Sequence, residues 1–497
     1  MRNSLIALFV LVTVVLAQDE PFRPQFHFTP EKNWMNDPNG MVFYEGEWHL
    51  FYQYNPHGNT WGHMSWGHAV SRDLVRWEQL PLALVEENDV MIFSGSAVVD
   101  WKNTSGFGKD GQPPLVAIYT GHYAKKPLQN QHIAYSNDRG RTWTKFSDNP
   151  VLDVKMTDFR DPKVFWHEAS ARWVMTVALA KESKVHFYAS PDLKQWKYVG
   201  EFGGVGAMGG LWECPDLFPL AIEGGGTKWV LIVNINPGGP AGGSGCQYFV
   251  GEFDGARFKV DHTATLWADH GADFYAGVSW SDVPKTDGRR VWLGWMSNWH
   301  YAGKVPTHPW RSAMTVPREL SLRRTPAGLR LVQQPVAELL KLREPVPRQF
   351  PGGTFAAGAK WLLNQTNLPP LLDVEFTFTG ISAKSAFTLQ LHTGADEVTA
   401  VHLDGGRSRL IVDRTRSGRT DFHRAFSSRH EAPLRLIEGR FALRLLVDTS
   451  SLEVFAQNGE TVVTELIFPA AGPRHLSLNG EGARVGSISI HGLKSTR

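Results

Sequence analysis

S-R-D-L-V-R-W at residues 71–77 returns as S-N-D-R-G-R-T-W at 136–143 and as S-P-D-L-K-Q-W at 190–196. A degraded fourth copy, G-E-F-D-G-A-R-F, occupies 251–258. The closing aromatics Trp77, Trp143, Trp196 and Phe258 are 66, 53 and 62 residues apart. The motif has the chemistry of a turn: Ser or Asp side chains accept from the backbone donors of a tight connection, and the aromatic re-enters a sheet. Each copy follows a strand-like ending (G-H-A-V, H-I-A-Y, H-F-Y-A or Q-Y-F-V), with a separate hairpin pattern before it. A unit of about four strands is the size of a propeller blade. Five units open near Asp37, Ser94, Asp161, Glu213 and Phe274. The reading is an all-β chain with a five-bladed β-propeller over 22–334.

Periodicity breaks after 334. P-V-A-E-L-L-K-L-R-E-P (335–345) has the spacing of one or two helical turns between prolines, and 335–351 reads as a linker. From 352 to 497 the chain alternates like half-buried strands, as in L-D-V-E-F-T-F-T (372–379), F-T-L-Q-L-H-T (387–393) and L-E-V-F-A (452–456). Short strands at this spacing predict a C-terminal β-sandwich.

Composition agrees. Among 497 residues, 48 Gly, 30 Pro and 19 Trp favour turns and aromatic-rich strands over helices. The net charge of +2, without a basic stripe, excludes nucleic acid as a partner and fits a neutral substrate. Residues 1–17 read as a secretory signal, with Arg2, an apolar Leu5–Leu16 stretch and a cleavage point near Ala17. That stretch is short for a span and nothing later is long enough, so a soluble, exported protein without a membrane partner is expected. Cys214 and Cys246 are too few to staple the chain; a disulfide between them and two free thiols both remain open.

Three acids stand beside prolines at the openings of these units. Asp37 lies in W-M-N-D-P-N-G (34–40), Asp161 in F-R-D-P (159–162) and Glu213 in W-E-C-P-D (212–216). If the inner strands line a channel, repeat register gathers the three at one mouth, and paired carboxylates in a wet pocket are the equipment of glycoside hydrolysis. Asp37 alone reads as a turn residue, Asp161 as a partner of Arg160 and Glu213 as a strand cap; all three together read as catalytic. Asp73, Asp138 and Asp192 sit in the repeated turn and read as structural, as does Asp273. His262, Asp269, His270 and Asp273 match no standard ligand spacing, so no metal or other cofactor is expected. The run N-P-G-G-P-A-G-G-S-G (236–245) lacks the Lys-Ser/Thr of a phosphate loop and reads as a flexible rim.

These motifs, in this order, closely resemble glycoside hydrolase family 32, the family of invertases, exo-inulinases and levanases. F-S-G-S (93–96), Q-Y-N-P (53–56), W-A-D-H-G-A-D-F-Y-A (267–276), G-W-M-S-N-W (294–299) and V-D-T-S-S-L-E-V-F-A-Q-N-G (447–459) extend the resemblance over nearly the whole chain. It implies Asp37 as nucleophile, Glu213 as general acid/base, and Asp161 with Arg160 as binders of fructosyl hydroxyls. It also implies Asn36, Gln53, Trp61, Ser96, Asn236 and Trp299 as lining of the sugar subsite. The implied activity is release of terminal fructose from levan, inulin and sucrose; a sucrose-specific invertase, a fructosyltransferase and a non-catalytic sugar-binding propeller are the alternatives.

The chemistry sets further expectations. A fructosyl bond breaks through an oxocarbenium-like transition state, so Asp37 must be ionised while Glu213 delivers a proton. Hydrogen bonds from Asn36 and Asn39 should favour the Asp37 carboxylate, and Arg160 should hold Asp161 ionised. A second carboxylate nearby and burial beside Trp212 and Cys214 should raise the pKa of Glu213.

Overall fold

The computed structural model describes residues 20–394, 396–437 and 439–497; the expected export signal lies outside them. Its strands group into seven sheets, five before Pro335 and two after. Each of the first five sheets opens with a strand buried along most of its length: β1 (Asn33–Tyr44), β2 (Val90–Val99), β3 (Phe159–His167), β4 (Leu211–Ala221) and β5 (Tyr275–Ser279). Three further antiparallel strands follow each opener, as in the third sheet, where β3 is followed by Arg172–Leu179, Lys184–Ser190 and Lys197–Gly203. β1 packs on β2, β2 on β3, β3 on β4, β4 on β5, and β5 back on β1. Five sheets whose inner strands close a ring form a five-bladed β-propeller. Closure is reinforced by hydrogen bonds, Phe43 N–H to Ser281 O at 2.9 Å and Ser281 N–H to Met41 O at 3.0 Å. Trp310–Arg311 adds to the first sheet by parallel pairing with Asn33 and Trp34.

The repeated S-x-D motif sits at the turn from third to fourth strand. Asp73 Oδ1 accepts from Val75 and Arg76 N–H at 3.1 and 2.8 Å, and Asp192 Oδ1 from Lys194 and Gln195 N–H at 2.9 and 2.8 Å. In the degraded copy Asp254 does the same for Ala256 and Arg257 at 2.9 and 2.8 Å. The turn indoles cap their own loops, Trp143 onto Gly140 O and Trp196 onto Leu193 O, both at 3.0 Å.

After Pro335, Ala337–Leu342 forms a 3-10 helix that buries Leu339 and Leu342 against Phe26, Leu446 and Phe455. This segment is packed between the two halves of the chain rather than strung between them. Two sheets then face each other over a core that includes Phe376, Leu389, Leu443 and Ile488. One difference from the sequence reading is α1 (Phe355–Leu363), a helix where strands were expected. Its signals are local: Thr354 Oγ1 accepts from Ala357 N–H at 3.2 Å, and an Ala-rich turn follows.

The propeller and the sandwich are joined by buried ion pairs. Arg318, on the fifth blade, reaches Glu453 Oε2, Asp269 Oδ2 at 3.2 Å and Thr464 Oγ1 at 2.7 Å, and none of these groups sees water. Arg414, on the sandwich, pairs with Asp273 and with Glu465, the latter at 2.9 Å. His27 bridges Asp448 and Glu453, each at 2.7 Å; although burial opposes its charge, the two carboxylates raise it to about 9. Asp269 and Asp273, weighed above as metal candidates, are thus interdomain anchors. Removing one partner of such a network leaves uncompensated buried charge, at a cost of about 3–5 kcal/mol. Arg318→Met should therefore lower the free energy of unfolding measured in denaturant by that amount, and a variant as stable as the parent would refute the role of this contact.

Candidate active site

All five inner strands carry a break in register. It falls between Met35 and Pro38 in β1, Ile92 and Gly95 in β2, Arg160 and Lys163 in β3, Glu213 and Asp216 in β4, and Tyr275 and Val278 in β5. A bulge puts two residues opposite one and re-aims a side chain out of the pleat. The acids therefore lie inside strands that begin two or more residues before them, not at strand mouths. The prolines Pro38, Pro162 and Pro215 stand in or beside these bulges, where a missing N–H costs no ladder bond. Asp161, Cys214 and Ala276 take φ of 65°, 46° and 52°, conformations that non-glycine residues adopt only when their surroundings enforce them. Gly40 (φ 58°) ends the first motif because a Cβ there would stand 2.7 Å from Trp66 and 2.8 Å from Phe51.

The bulges bring Asp37, Ser94, Asp161, Glu213 and Tyr275 to one end of the channel. Cys214 Sγ lies 3.6 Å from both Asp37 Oδ2 and Asp161 Oδ2, and Cys214 N–H donates to Asp161 Oδ2 at 2.9 Å. Ser94 Oγ donates to Asp37 Oδ2 at 2.8 Å and Asn36 Nδ2 to Asp37 Oδ1 at 3.1 Å. Asn36 is itself fixed by Trp34 Nε1 at 2.8 Å. Glu213 is held between Arg160, with Nε and Nη2 at 3.0 and 2.9 Å from Oε1, and the Tyr275 hydroxyl, which donates to Oε2.

Three carboxylates thus lie close together, and only Glu213 among them is paired with the guanidinium of Arg160. Burial raises Asp37 to about 6, aided by the charge of Glu213 and opposed by hydrogen bonds from Asn36, Ser94 and Cys214. Asp161 is raised to about 7, chiefly by burial; Arg160 pulls it down while Glu213 and Asp37 push it up. Burial and the neighbouring carboxylates push the Cys214 thiol well up, so it stays a neutral donor. Burial and Glu213 do the same for Tyr275.

Several expectations need correction. Arg160 makes its ion pairs with Glu213 and, at 3.2 Å, with Asp158; its charge still pulls Asp161 down, but burial outweighs it, so Arg160 does not hold Asp161 ionised. Adjacent residues leave a strand on opposite sides, which separates the Arg160 side chain from its neighbour. For the same reason Trp212 does not bury Glu213; its indole turns into the blade and donates to Ala207 O at 2.9 Å. Ser96 is also misplaced as subsite lining. It is 1% exposed, and its Oγ accepts from Val164 N–H at 3.0 Å, bracing β2 against β3. The serine at the acids is Ser94, and with Tyr275 it was findable from the register of units opening at Ser94 and Phe274. Asn39 accepts from Gln53 Nε2 at 3.1 Å instead of serving Asp37, which places Gln53, 2% exposed, beneath the acid-bearing strand.

The remaining predicted residues lie around the mouth. Asn236 ends the strand beside β4 and pairs with Leu211, two rungs beyond the Glu213–Asn234 pair and so on the same face. Trp299 stacks on Trp34 at 5.9 Å and touches Trp295 at 4.8 Å. Trp61 is 46% exposed and meets Phe93, which stacks on His122 at 4.3 Å to form an aromatic wall. The glycine-rich run is pinned rather than loose, with Asn298 Nδ2 donating to Gly242 O at 3.0 Å. Cys214 and Cys246 are both free and buried.

This arrangement has relatives. Residues 27–335 match the Glycosyl hydrolases family 32 N-terminal domain, and 356–492 match the Glycosyl hydrolases family 32 C terminal. The chain belongs to glycosyl hydrolase family 32. A levanase of Bacillus subtilis is 48% identical over 99% of this chain and 75% of its own. The crystal structure of exo-inulinase from Aspergillus awamori superposes with a TM-score of 0.89 at 40% identity, covering 97% of this chain and all of that one. A β-fructofuranosidase of Schwanniomyces occidentalis, solved with fructosyl-erythritol, gives 0.87 at 34% identity, covering 97% of this chain and 100% of its own.

The raised acids have a consequence for stability. A carboxyl whose folded pKa exceeds its unfolded value holds its proton more tightly when folded. Its burial costs nothing below about pH 3.8, and the penalty grows as pH rises through about 6. Asp37→Asn should therefore stabilise the protein by roughly 1–3 kcal/mol at pH 7 and by little at pH 4. Thermal melts of both proteins at the two pH values check this; an equal difference at both would refute the charge argument.

Proposed function

We propose that the protein is an exo-acting β-fructosidase, a glycosidase that frees terminal β-D-fructose from levan, inulin and sucrose with retention of configuration. The observation that carries this reading is the convergence of Asp37, Asp161 and Glu213 beside one guanidinium at one end of the propeller channel. The levanase and exo-inulinase relatives favour a polymeric substrate, and the fructosyl ligand of the yeast enzyme favours a fructose-containing one. The catalytic unit is the propeller over 22–334. The sandwich over 352–497 braces it through the buried ion pairs and the 335–351 segment through the packing of Leu339 and Leu342, and residues 1–17 serve for export, a reading supported by the extracellular exo-inulinase relatives.

In this mechanism the Asp37 carboxylate attacks the anomeric carbon while Glu213 gives its proton to the departing oxygen. Glu213 then takes a proton from water, whose oxygen displaces Asp37 from the fructosyl ester. The crowding of three carboxylates around Arg160 favours keeping one proton in the cluster, the proton that the first step spends. Tyr275 and Arg160 orient Glu213 and donate to it while it is charged. Asp161, held by Cys214 N–H and free of an ion pair, accepts from fructosyl hydroxyls. Asn36, Gln53, Ser94, Asn236 and the indoles of Trp61 and Trp299 shape the subsite, directly or by positioning those that touch sugar.

Two measurements test the assignment. Asp37→Ala should abolish turnover, whereas Glu213→Ala should retain activity on a fructoside with a good leaving group, which needs no proton; equal, complete loss of both would overturn the acid/base role. For leaving-group release by Glu213→Gln, the acid limb of kcat/KM should move below the wild-type limb near pH 6, because the charge that raises Asp37 is gone. An unmoved limb would show that Asp37 does not feel Glu213. Chromatography of products from sucrose, inulin and levan should show fructose alone. Short oligosaccharides from inulin would indicate endo cleavage, and chain elongation on sucrose a transferase.

A further inference from the structure

The opposite end of the same channel holds a cavity of about 890 Å³, framed by the C-terminal ends of the inner strands. Its walls are largely aromatic, with Tyr44, Phe165, Trp166, Trp229 and Phe253 around it and Trp101 at its lip, 61% exposed. Lys163 and Asp216 close its floor. Lys163 Nζ donates to Ser279 O and lies 3.5 Å from Asp216 Oδ2, and its side chain also borders a void of about 10 Å³ beneath Asp161 and Cys214. The catalytic mouth and this cavity are therefore separate chambers.

The polar groups here are arranged in a way the packing alone does not explain. Asp216 is fully buried; its Oδ2 accepts from Ser279 N–H and Oγ, both at 2.7 Å, yet its Oδ1 has no protein partner among the described residues. Asp282 accepts from Val99 N–H and Trp101 Nε1, both at 2.9 Å, so the exposed indole is held by its nitrogen with its ring at the lip. Arg290 lies over Phe218 at 4.8 Å and donates to Trp280 O at 3.2 Å. Lys163 and Arg290 balance Asp216 and Asp282, and around them Lys102 and Lys285 balance Glu45 and Glu168. A cavity of this size with aromatic walls, a few fixed polar groups and no net charge suits a neutral ligand with hydroxyl donors and apolar ring faces.

We propose that this far cavity is a second, non-catalytic saccharide site that anchors the fructan on which the enzyme acts. The choice of fructan rests on the proposed function; the chemistry of a neutral saccharide does not. Anchoring at a chamber walled off from the acids should help a polymer, which can reach both ends of the propeller, and do nothing for sucrose.

Trp101→Ala changes an exposed residue and no catalytic group, so its kcat/KM on sucrose should match wild type while KM for inulin rises roughly threefold to tenfold, the loss of one aromatic platform. Calorimetric titration of Asp37→Ala with inulin oligosaccharides should show two classes of site, and the Asp37→Ala/Trp101→Ala protein one. Trp166→Ala, on the other wall, should repeat the effect. Equal KM on inulin with a single class of site in both titrations would overturn the proposal. Failure of wild type to release fructose from sucrose and inulin would instead defeat the proposed function, and the titration would still read the far cavity.

Discussion

A pleated strand sends successive side chains to opposite sides, so five ordinary inner strands could not all crowd functional groups onto one small volume at the channel axis. The bulge is what permits it here. Each inner strand loses register at the same level, and each delivers one polar group there: Asp37, Ser94, Asp161, Glu213 and Tyr275. The ring closure holds these bulges against one another, so positive-φ residues such as Asp161 and Cys214 persist inside strands that would otherwise relax. The blades are a scaffold for five deformations.

The electrostatics follow from that crowding. Bringing three carboxylates together costs free energy that one guanidinium cannot cancel, and the protein answers with neutral donors. The Cys214 thiol and amide, the Ser94 and Tyr275 hydroxyls and the Asn36 amide all point at carboxylate oxygens. Burial raises both Asp37 and Asp161, and neutral donors pull them back less than a paired cation would, so both titrate near the middle of the pH scale and a proton can be passed within the cluster. Arg160 goes to Glu213, where it orients the residue that must alternate between acid and base.

The architecture was legible because its signals are local. An Asp two residues after a Ser, followed by a Trp, makes the same turn in three blades, with a degraded copy in a fourth, so the repeat revealed the blade unit and the hairpin openings gave the count of five. The acids stood out because each stands within two residues of a following proline at the opening of a unit, a placement that a bulge accommodates. What escaped depended on which way a side chain leaves its strand. Arg160 and Asp161 are neighbours in sequence but not partners, and Trp212 turns away from Glu213. Ser94 and Ser96 lie two residues apart in F-S-G-S, and only the register break between Ile92 and Gly95 tells them apart. The helix at Phe355–Leu363 was missed for another reason: a strong alternating pattern downstream was extended backwards over a Thr cap and an Ala-rich turn.

The fifth blade and the sandwich meet where the acids' scaffold needs support. The fifth blade supplies Tyr275 from a strand of only five residues, and its outer strands turn their polar face to the sandwich through Arg318. Asp269 and Asp273, immediately before Tyr275, are clamped by Thr464 N–H at 2.9 Å and Leu466 N–H at 2.8 Å. The sandwich therefore fixes the segment from which Tyr275 reaches Glu213, and does so with hydrogen bonds that water cannot enter. A buried charge network is weak evidence for added stability, because desolvation offsets much of its attraction, but its geometry is unforgiving. Here that directionality is the useful property: apolar packing alone would let the short β5 slide against its neighbours, whereas carboxylates bonded to named amides set its register relative to the other four bulges.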